Sequence, residues 1–253
     1  MKIEKLREGI IHYTFEPRPN RNWSESVTVI INEDKAILID AGFDFQIEKV
    51  LADLNKRKIE IEKIIITHFH EDHMEGLRIL PKVPIYGSSR FQETLDKWTP
   101  KNEHDLFTPT VRIEHPQELI FGKHKLTLIS LPGHSVCGML VNINDEFLHI
   151  ADEVMFSPVG VPMLPSADGN DFKRHLASLD KLRAYSGDFS LIIPAHGPVF
   201  SGEKLEEEIE KRYAYISAIA HSNGNISYED AIKDCNCTFV HSEWHEGNCK
   251  KET

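Results

Sequence analysis

The segment at residues 67–73 reads THFHEDH and directly follows the apolar run Ile64-Ile65-Ile66. In an extended turn, His68 and His70 point to the same side, because side chains alternate with a period of two. Asp72 and His73 come next and can face a second point nearby. Two pairs of donors from one turn suit two neighbouring metal ions better than one.

Polar residues of the same two types, His and Asp, also follow other predicted strands. α/β folds place ligands beyond the carboxyl ends of strands, so side chains at these positions are candidates for one common site. Five such endings in order, limited to His and Asp, indicate a site and not a chance pattern. They are Asp40, the segment 67–73, His134, Asp152 and His196.

Hydrophobic periodicity predicts mixed α and β structure throughout the chain. The unbroken β-branched run at 64–66 predicts a strand that is covered on both faces. Apolar residues at helical spacing predict an amphipathic helix over 171–184. Strands are predicted at 9–15, 26–32, 36–39, 61–66, 83–86, 111–113, 118–121, 126–129, 138–141, 146–150 and 190–193. Helices are predicted at 45–56, from about 73 to 81, and at 89–97, 171–184, 203–221 and 227–234.

In order and approximate spacing, residues 25–200 resemble the metallo-β-lactamase-fold hydrolase superfamily, including its hydroxyacylglutathione hydrolase and lactonase branch. The specific signal is the HxHxDH motif at 68–73, supported by the segments 132–135, 151–152 and 194–198. The resemblance implies an α/β fold, a four-layer αβ/βα sandwich with a helical C-terminal segment. Residues 1–202 would form the catalytic domain, and 203–253 would be a helical segment and tail packed on that domain.

The resemblance also implies the roles of individual residues. Asp40 would be the carboxylate that orients metal ligands without binding metal itself. One ion would be held by His68, His70 and His134, a second by Asp72, His73 and His196, and Asp152 would bridge the two.

Two positions depart from the family pattern. The family often continues the cluster with two glycines, whereas this chain reads His73-Met74-Glu75-Gly76, and the family often has glycine where this chain has Ala151. Neither position supplies a ligand, but Glu75 would add a carboxylate near the rim of the pocket.

Imidazole and carboxylate donors suit two divalent ions, with zinc expected and iron or manganese as alternatives. Two such ions about 3.5–4 Å apart can hold one water between them, and zinc can lower the pKa of that water to about 7. Asp72 would be catalytic, holding metal and orienting the bridging hydroxide. The predicted reaction is hydrolysis of a small ester, thioester or lactone.

Three other functions stay open. An iron-dependent persulfide dioxygenase of the same fold would use one iron on His68, His134 and Asp152. A phosphodiesterase acting on a small molecule and a non-catalytic metal-binding protein are the others. The resemblance argues against antibiotic hydrolysis, because true β-lactamases usually carry cysteine or serine at the position of Asp152.

Composition limits the partners of the 253-residue chain. Its net charge of −11 weighs against nucleic acid, since that affinity rests on Lys and Arg neutralising phosphates. No apolar run has the length of a signal peptide or of a membrane span, and the four cysteines are too few and too clustered for a disulfide framework. We therefore expect a cytoplasmic protein with a small-molecule substrate and no membrane or nucleic-acid partner; the oligomeric state is open, a homo-oligomer included.

The C-terminal tail contains soft donors, namely Cys235, Cys237, His241, His245 and Cys249. Their spacing matches no zinc-finger pattern, so a plain C-terminal segment is favoured over a separate zinc site. It is also favoured over a tail that folds across the active site with Trp244 or His245 against the substrate. Substrate identity would depend on the loop 17–23, the segment 155–170 and this tail, none of which carries a readable code.

Overall fold

The computed structural model describes residues 1–19 and 21–250. Asn20, in the predicted loop 17–23, and residues 251–253 of the tail lie outside the described residues. The strands are β1 (Lys2–Arg7), β2 (Ile10–Thr14), β3 (Ser26–Asn32), β4 (Lys35–Ile39), β5 (Glu60–Ile65), β6 (Ile85–Ser88), β7 (Val111–Ile113), β8 (Gln117–Phe121), β9 (His124–Ser130), β10 (Met139–Ile143), β11 (Phe147–His149), β12 (Leu191–Ile193) and β13 (Phe200–Ser201). The α-helices are α1 (Asp44–Lys56), α2 (Glu71–Met74), α3 (Phe91–Trp98), α4 (His104–Phe107), α5 (Phe172–Arg183), α6 (Leu205–Ser222), α7 (Tyr228–Ala231) and α8 (Trp244–Asn248).

The strands form two sheets. The first has the order β1-β2-β3-β4-β5-β6-β7, antiparallel as far as β4 and parallel from β4 to β7. The second has the order β13-β12-β11-β10-β9-β8, with β11 and β12 as its parallel pair. Because β4 and β5 are parallel, as are β11 and β12, the carboxyl ends within each pair lie together at one edge of their sheet.

Three apolar cores separate four layers, which confirms the predicted αβ/βα sandwich. Isoleucines of β4 and β5, such as Ile39 and Ile65, pack between the sheets against residues of the second sheet such as Val141 and Phe147. The outer face of the first sheet packs against α1 and α3, and the outer face of the second against α5 and α6. Burial of these faces is the main source of stability, at about 25 cal/mol per Å² of apolar surface.

The strand that leads into the histidine motif is buried on both faces, as predicted. Ile64 and the following Ile66 belong to the core beneath the helices, whereas Ile65 faces the core between the sheets. This alternation explains why the sequence shows an unbroken apolar run where a strand with one wet face would alternate.

The predicted helix from about 73 to 81 is wrong in its extent. The structure has the single turn α2, followed by a 3₁₀ turn at Glu75–Arg78. Gly76 explains the change, because its N–H donates to the carbonyl of Gly42 at 2.8 Å, and a Cβ at this position would lie 2.3 Å from the carbonyl oxygen of Ala41. The chain after the histidines therefore packs directly on the loop that carries Asp40.

The N-terminal strand β1 and helices α4 and α8 had no clear signal in the sequence, since each is short or mostly polar. The predicted helix at 227–234 is shorter, ending at Ala231. None of the helices in the described part of the chain has the length and apolar character that a membrane span requires.

Candidate metal centre

The carboxyl ends of the strands bring the predicted donors together at one edge of the sandwich. Side-chain donor atoms fall into three overlapping groups, and within each group they lie within 4.8 Å of one another. The groups are His68, His70 and His134; His68, His73 and Asp152; and Asp72, His73 and His196. All seven residues predicted to bind metal are therefore in one cluster.

The first group faces a common point. His68 Nε2 lies 3.0 Å from His70 Nδ1, which in turn lies 3.3 Å from His134 Nε2. Two nitrogens bound to one zinc ion at about 2.0–2.1 Å in tetrahedral geometry lie about 3.3–3.4 Å apart. The spacing of these three nitrogens is therefore close to that of ligands on one ion.

The group of Asp72, His73 and His196, called the second group from here on, has wider spacing. Asp72 Oδ1 lies 3.7 Å from His73 Nε2, and Asp72 Oδ2 lies 3.5 Å from His196 Nε2. The two groups meet at Asp152, whose Oδ2 lies 3.2–3.7 Å from the Nε2 atoms of four histidines, two from each group; these are His68, His73, His134 and His196. One carboxylate oxygen thus lies between the two groups, as a bridging ligand would.

The other nitrogen of each histidine bonds to an acceptor of the protein. Those of His73 and His70 face carboxylates, Asp40 Oδ2 at 2.9 Å and Asp168 Oδ1 at 3.0 Å. The Nδ1 atoms of His134 and His196 face the carbonyl oxygens of Ser166 and Ser24 at 2.9 and 3.0 Å. His68 Nδ1 faces the hydroxyl of Thr67 at 3.3 Å, and that hydroxyl donates to Asp40 Oδ2 at 2.9 Å.

These partners determine the tautomers. A carboxylate or carbonyl oxygen only accepts, and the Thr67 hydroxyl already donates to Asp40, so each anchored nitrogen carries a proton and the opposite nitrogen of the neutral ring keeps a lone pair. Five imidazole lone pairs therefore converge with the carboxylates of Asp72 and Asp152. Within residues 1–19 and 21–250, the buried atoms His73 Nε2 and Asp152 Oδ1 also have no hydrogen-bond partner. A cluster of unshared lone pairs is costly to bury unless a cation lies among them, so the residues fit divalent ions.

Electrostatics show the same demand for positive charge. Burial opposes ionisation of Asp152, but His196, His73 and His68 nearby bring the pKa of its carboxyl well below the usual range. Burial lowers the pKa of His196, but the charge of Asp152 and its hydrogen bond outweigh that and raise the pKa to about 9. In His68, burial and the neighbouring His73 lower the pKa well below its usual value. Divalent ions would replace the protons that otherwise balance these carboxylates.

Asp40 contacts candidate metal ligands from beneath the cluster. Its carboxylate accepts the N–H of Thr67 at 2.8 Å as well as bonds from the Thr67 hydroxyl and His73. Its backbone is left-handed, with φ of 62°, and this turns the side chain out of β4 towards the start of the histidine turn. Asp40 is thus placed to orient His73 directly and His68 through Thr67.

Comparison with known proteins places this cluster in a family. The model of the Metallo-beta-lactamase superfamily matches residues 21–221, about four fifths of the chain. The chain belongs to the metallo-β-lactamase superfamily. The superfamily generally consists of hydrolases, and its fold typically binds metal ions.

Individual relatives are distant. The Beta-lactamase-like protein 2 homolog of Caenorhabditis elegans is 26% identical over 96% of this chain and 80% of its own length. A Hydroxyacylglutathione hydrolase of Francisella tularensis is 28% identical over 56% of this chain, and the match spans about half of that relative, 51%. The solved structure of a metallo-beta-lactamase from Pontibacter korlensis has a TM-score of 0.68 and 16% identity, covering 85% of this chain and 98% of its own. The last comparison shows the shared fold.

The two departures from the superfamily pattern have different outcomes. Ala151 has φ of 48°, a left-handed backbone that costs a residue with a Cβ about 1–2 kcal/mol. This explains why glycine suits that position, and the strain is located directly before Asp152. Glu75 pairs with Arg78, its Oε1 lying 3.5 Å from Nη2, and it is not among the described residues that line the cleft above the cluster. The expected rim carboxylate at this position is wrong.

Two carboxylates beside the candidate metal centre, the partly buried Asp168 and the buried Glu153, were missed in the sequence. Asp168 accepts hydrogen bonds from His70 Nε2 and, at 2.9 Å, from the hydroxyl of Ser135. Burial opposes its ionisation, but the hydrogen bond from His70 and the charge of that imidazole hold the pKa of Asp168 well below its usual range. Glu153 accepts the N–H of His134 at 3.0 Å and the hydroxyl of Ser178 at 2.6 Å. Asp168 follows no strand, and Glu153 only extends the signal of Asp152, so neither stands out in the sequence.

The tail is not a plain C-terminal segment, which corrects the favoured prediction. Trp244, Gly247 and Asn248 of α8 line the cleft above the cluster. His245 lies beneath them, with Nδ1 3.0 Å from the hydroxyl of Tyr215. Within the described residues, the tail's cysteines and histidines do not come together as a separate group of metal donors. The alternative in which the tail folds across the site is thus supported for Trp244 and wrong for His245.

Proposed function

We propose that this chain is a metal-dependent hydrolase with two divalent ions, acting on a small ester, thioester or lactone. The observation that carries the proposal is the set of five anchored imidazoles whose free nitrogens converge in one cluster, four of them around Asp152 Oδ2. A ring that is fixed by a hydrogen bond on one nitrogen is a preorganised ligand through the other. In this proposal the first ion is held by His68, His70 and His134, the second by Asp72, His73 and His196, with Asp152 shared and Asp40 orienting ligands.

The donor set supports zinc, with iron or manganese as alternatives, because imidazole and carboxylate accept each of these metals. When bound, such ions supply a hydroxide nucleophile at neutral pH and polarise the oxygen of the scissile group. Asp72 lines the cleft, so its carboxylate is also placed to orient the attacking water or take its proton.

The cleft supports a small substrate. Its volume is about 670 Å³, within the range of about 300–1,000 Å³ that is usual for small-molecule sites. We infer that residues 1–202 form the catalytic unit and that 203–253 pack on it. The packing of 203–253 on the catalytic unit is supported by α6, since Leu205, Ile209 and Ile216 belong to the apolar core under the second sheet.

Metal-quantified kinetics would test the proposal. Purified protein is stripped with a chelator, reloaded with zinc, iron or manganese, and assayed on ester, thioester, lactone and phosphodiester substrates, with oxygen uptake on glutathione persulfide as the arm for the dioxygenase. We expect two ions per chain and hydrolysis of at least one carboxylic substrate. One iron per chain with oxygen uptake would replace this proposal by the dioxygenase.

A pair of histidine variants separates catalysis from folding. His70→Ala removes a ligand of the first ion, and we expect loss of nearly all activity with the fold retained by circular dichroism. His115→Ala changes an exposed histidine outside the cluster and should behave as the unmodified protein. Full activity in His70→Ala would refute the assignment of His70 as a ligand of the first ion. Tight metal retention by the unmodified protein, without turnover of any substrate, would indicate a metal-binding protein that is not an enzyme.

A further inference from the structure

All three tryptophans of the chain line the cleft above the candidate metal centre. They come from separate parts of the chain, since Trp23 precedes β3, Trp98 ends α3 and Trp244 begins α8. Trp98 is 56% exposed although indole is a large apolar group that is usually covered. An exposed aromatic surface beside a cluster of candidate metal donors indicates a surface that binds a ligand.

Two of the indoles form one ordered wall. The rings of Trp23 and Trp244 meet edge to face with centroids 5.6 Å apart, and His241 stacks on Trp244 at 4.4 Å. This wall starts next to Ser24, whose carbonyl holds His196 of the second group of donors. Trp98 lies instead beside His70 of the first group, at 6.3 Å between ring centroids. Indoles thus stand near both groups of donors.

The remaining lining combines apolar, acidic and uncharged polar residues with the candidate ligands and one lysine. Met155 and Met163 add flexible apolar surface, which adapts to irregular ligands. The acidic residues that line the cleft are Glu71, Asp72, Asp152 and Asp168. Among the described residues of the lining, Lys97 is the single lysine or arginine, and its Nζ lies 5.0 Å over the ring of Trp98.

This lining is a poor match for an anionic leaving group such as glutathione. Glutathione carries two carboxylates at neutral pH, and proteins recognise carboxylates with paired Arg or Lys side chains. The described lining has one such cation, Lys97, and its carboxylates outside the proposed metal ligands, Glu71 and Asp168, are negative, so it lacks the paired cations that would hold that group. An uncharged aromatic or aliphatic group would instead bury its surface against the indoles.

We infer that the substrate is an uncharged ester, thioester or lactone whose aromatic or aliphatic group packs on Trp98 and on the wall formed by Trp23 and Trp244; the inference rests on the proposed hydrolase function. In the reaction the water oxygen bonds to the acyl carbon, and the bond from that carbon to the alcohol or thiol breaks. The released alcohol or thiol takes a proton from the same water.

Two matched thioesters test the inference in the metal-loaded protein. S-benzyl thioacetate and S-acetylglutathione have the same acyl group, but their leaving groups are apolar and anionic. We expect kcat/KM to favour S-benzyl thioacetate by at least about tenfold, as differences in apolar pocket contact usually give. Trp98→Ala should lower kcat/KM for that substrate by about 10- to 100-fold, mainly through KM, and leave S-acetylglutathione nearly unchanged.

Controls separate loss of the contact from loss of the fold. Trp98→Phe keeps an aromatic ring and should recover most of the loss. Phe45→Ala removes an exposed aromatic side chain of α1 that lies outside the cleft, and it should have no effect.

Intrinsic tryptophan fluorescence gives a readout that does not need turnover. Since every tryptophan lines the cleft, emission of the metal-free protein should change with 4-phenylbutanamide and not with S-methylglutathione. A higher kcat/KM for S-acetylglutathione than for S-benzyl thioacetate would overturn the inference. So would an unchanged kcat/KM of Trp98→Ala for S-benzyl thioacetate together with no fluorescence response to 4-phenylbutanamide. Either result would leave the hydrolase proposal standing. A fluorescence response to 4-phenylbutanamide without turnover of any thioester, ester or lactone would overturn the hydrolase proposal and support the apolar cleft.

Discussion

Asp168→Asn is the sharpest test of how the first group of ligands is oriented. The carboxylate of Asp168 accepts bonds from His70 Nε2 at 3.0 Å and from Ser135 Oγ at 2.9 Å, and its side chain is 12% exposed. Asparagine keeps the shape but has a single acceptor oxygen and no charge, so it cannot replace both bonds. A hydrogen bond to a charged group contributes about 1.5–3 kcal/mol.

The expected result is a selective loss of metal affinity. Replacing a residue that orients a ligand usually lowers metal affinity by about 10- to 100-fold, which is about 1.4–2.8 kcal/mol and agrees with the estimate from the hydrogen bond. The effect should fall on the ion of the first group, because His73 and His196 of the second group are anchored by Asp40 and Ser24 instead.

The assay is a titration of metal-free protein with zinc against a chromophoric chelator, fitted with two sites. Asp188→Asn is a matched control, since that exposed aspartate lies outside the cluster. Affinity for both ions equal to that of the unmodified protein would refute the role of Asp168. An equal loss at both sites would show that Asp168 supports the whole centre and not His70 alone.

Two further predictions concern stability. Burial, together with the nearby charges, lowers the pKa of His12 from 6.5 to about 3. His12 therefore leaves the free energy of unfolding unchanged above about pH 6.5 and lowers it by about 1.4 kcal/mol per pH unit as the pH falls from 6.5 towards 3. Urea unfolding between pH 7 and 4.5 should therefore show a shallower loss for His12→Gln than for the exposed control His221→Gln, and equal slopes would contradict the burial argument. Gly76→Ala should lower the free energy of unfolding by about 1–3 kcal/mol or more, because the new Cβ meets the Ala41 carbonyl. Gly247→Ala is the control, because the space around its Cβ is open, and its free energy of unfolding should stay the same or rise by up to about 1 kcal/mol. Equal urea midpoints for the two variants would refute the close approach at Gly76.

Strand ends were the most informative feature of the sequence. The positions of Asp40, His68, His134, Asp152 and His196 could be predicted because each follows a buried apolar strand, and such strands have a local signature. Parallel neighbours bring their carboxyl ends to one edge, so the order of strands is enough to bring these side chains together. The four layers were expected from the resemblance to the superfamily.

Loop residues could not be predicted in this way. Asp168 reaches His70 from 98 residues away along the chain, and Ser24 and Ser166 contribute only backbone carbonyls, which any residue type would supply. The short α2 also depends on a distant contact, the packing of Gly76 on Ala41. Local periodicity carries no information on such pairings, since they depend on how the layers pack against one another.

The amino-acid sequence by itself determined which side chains can bind metal, because donor type is a property of the residue and strand ends have a readable pattern. The tertiary structure alone decided which nitrogen of each imidazole faces the cluster, and that Trp23, Trp98 and Trp244 share one cleft. The physical reason is that hydrogen-bond partners and cleft walls come from segments far apart in the chain, and packing of the two sheets and their helices sets the distances between them.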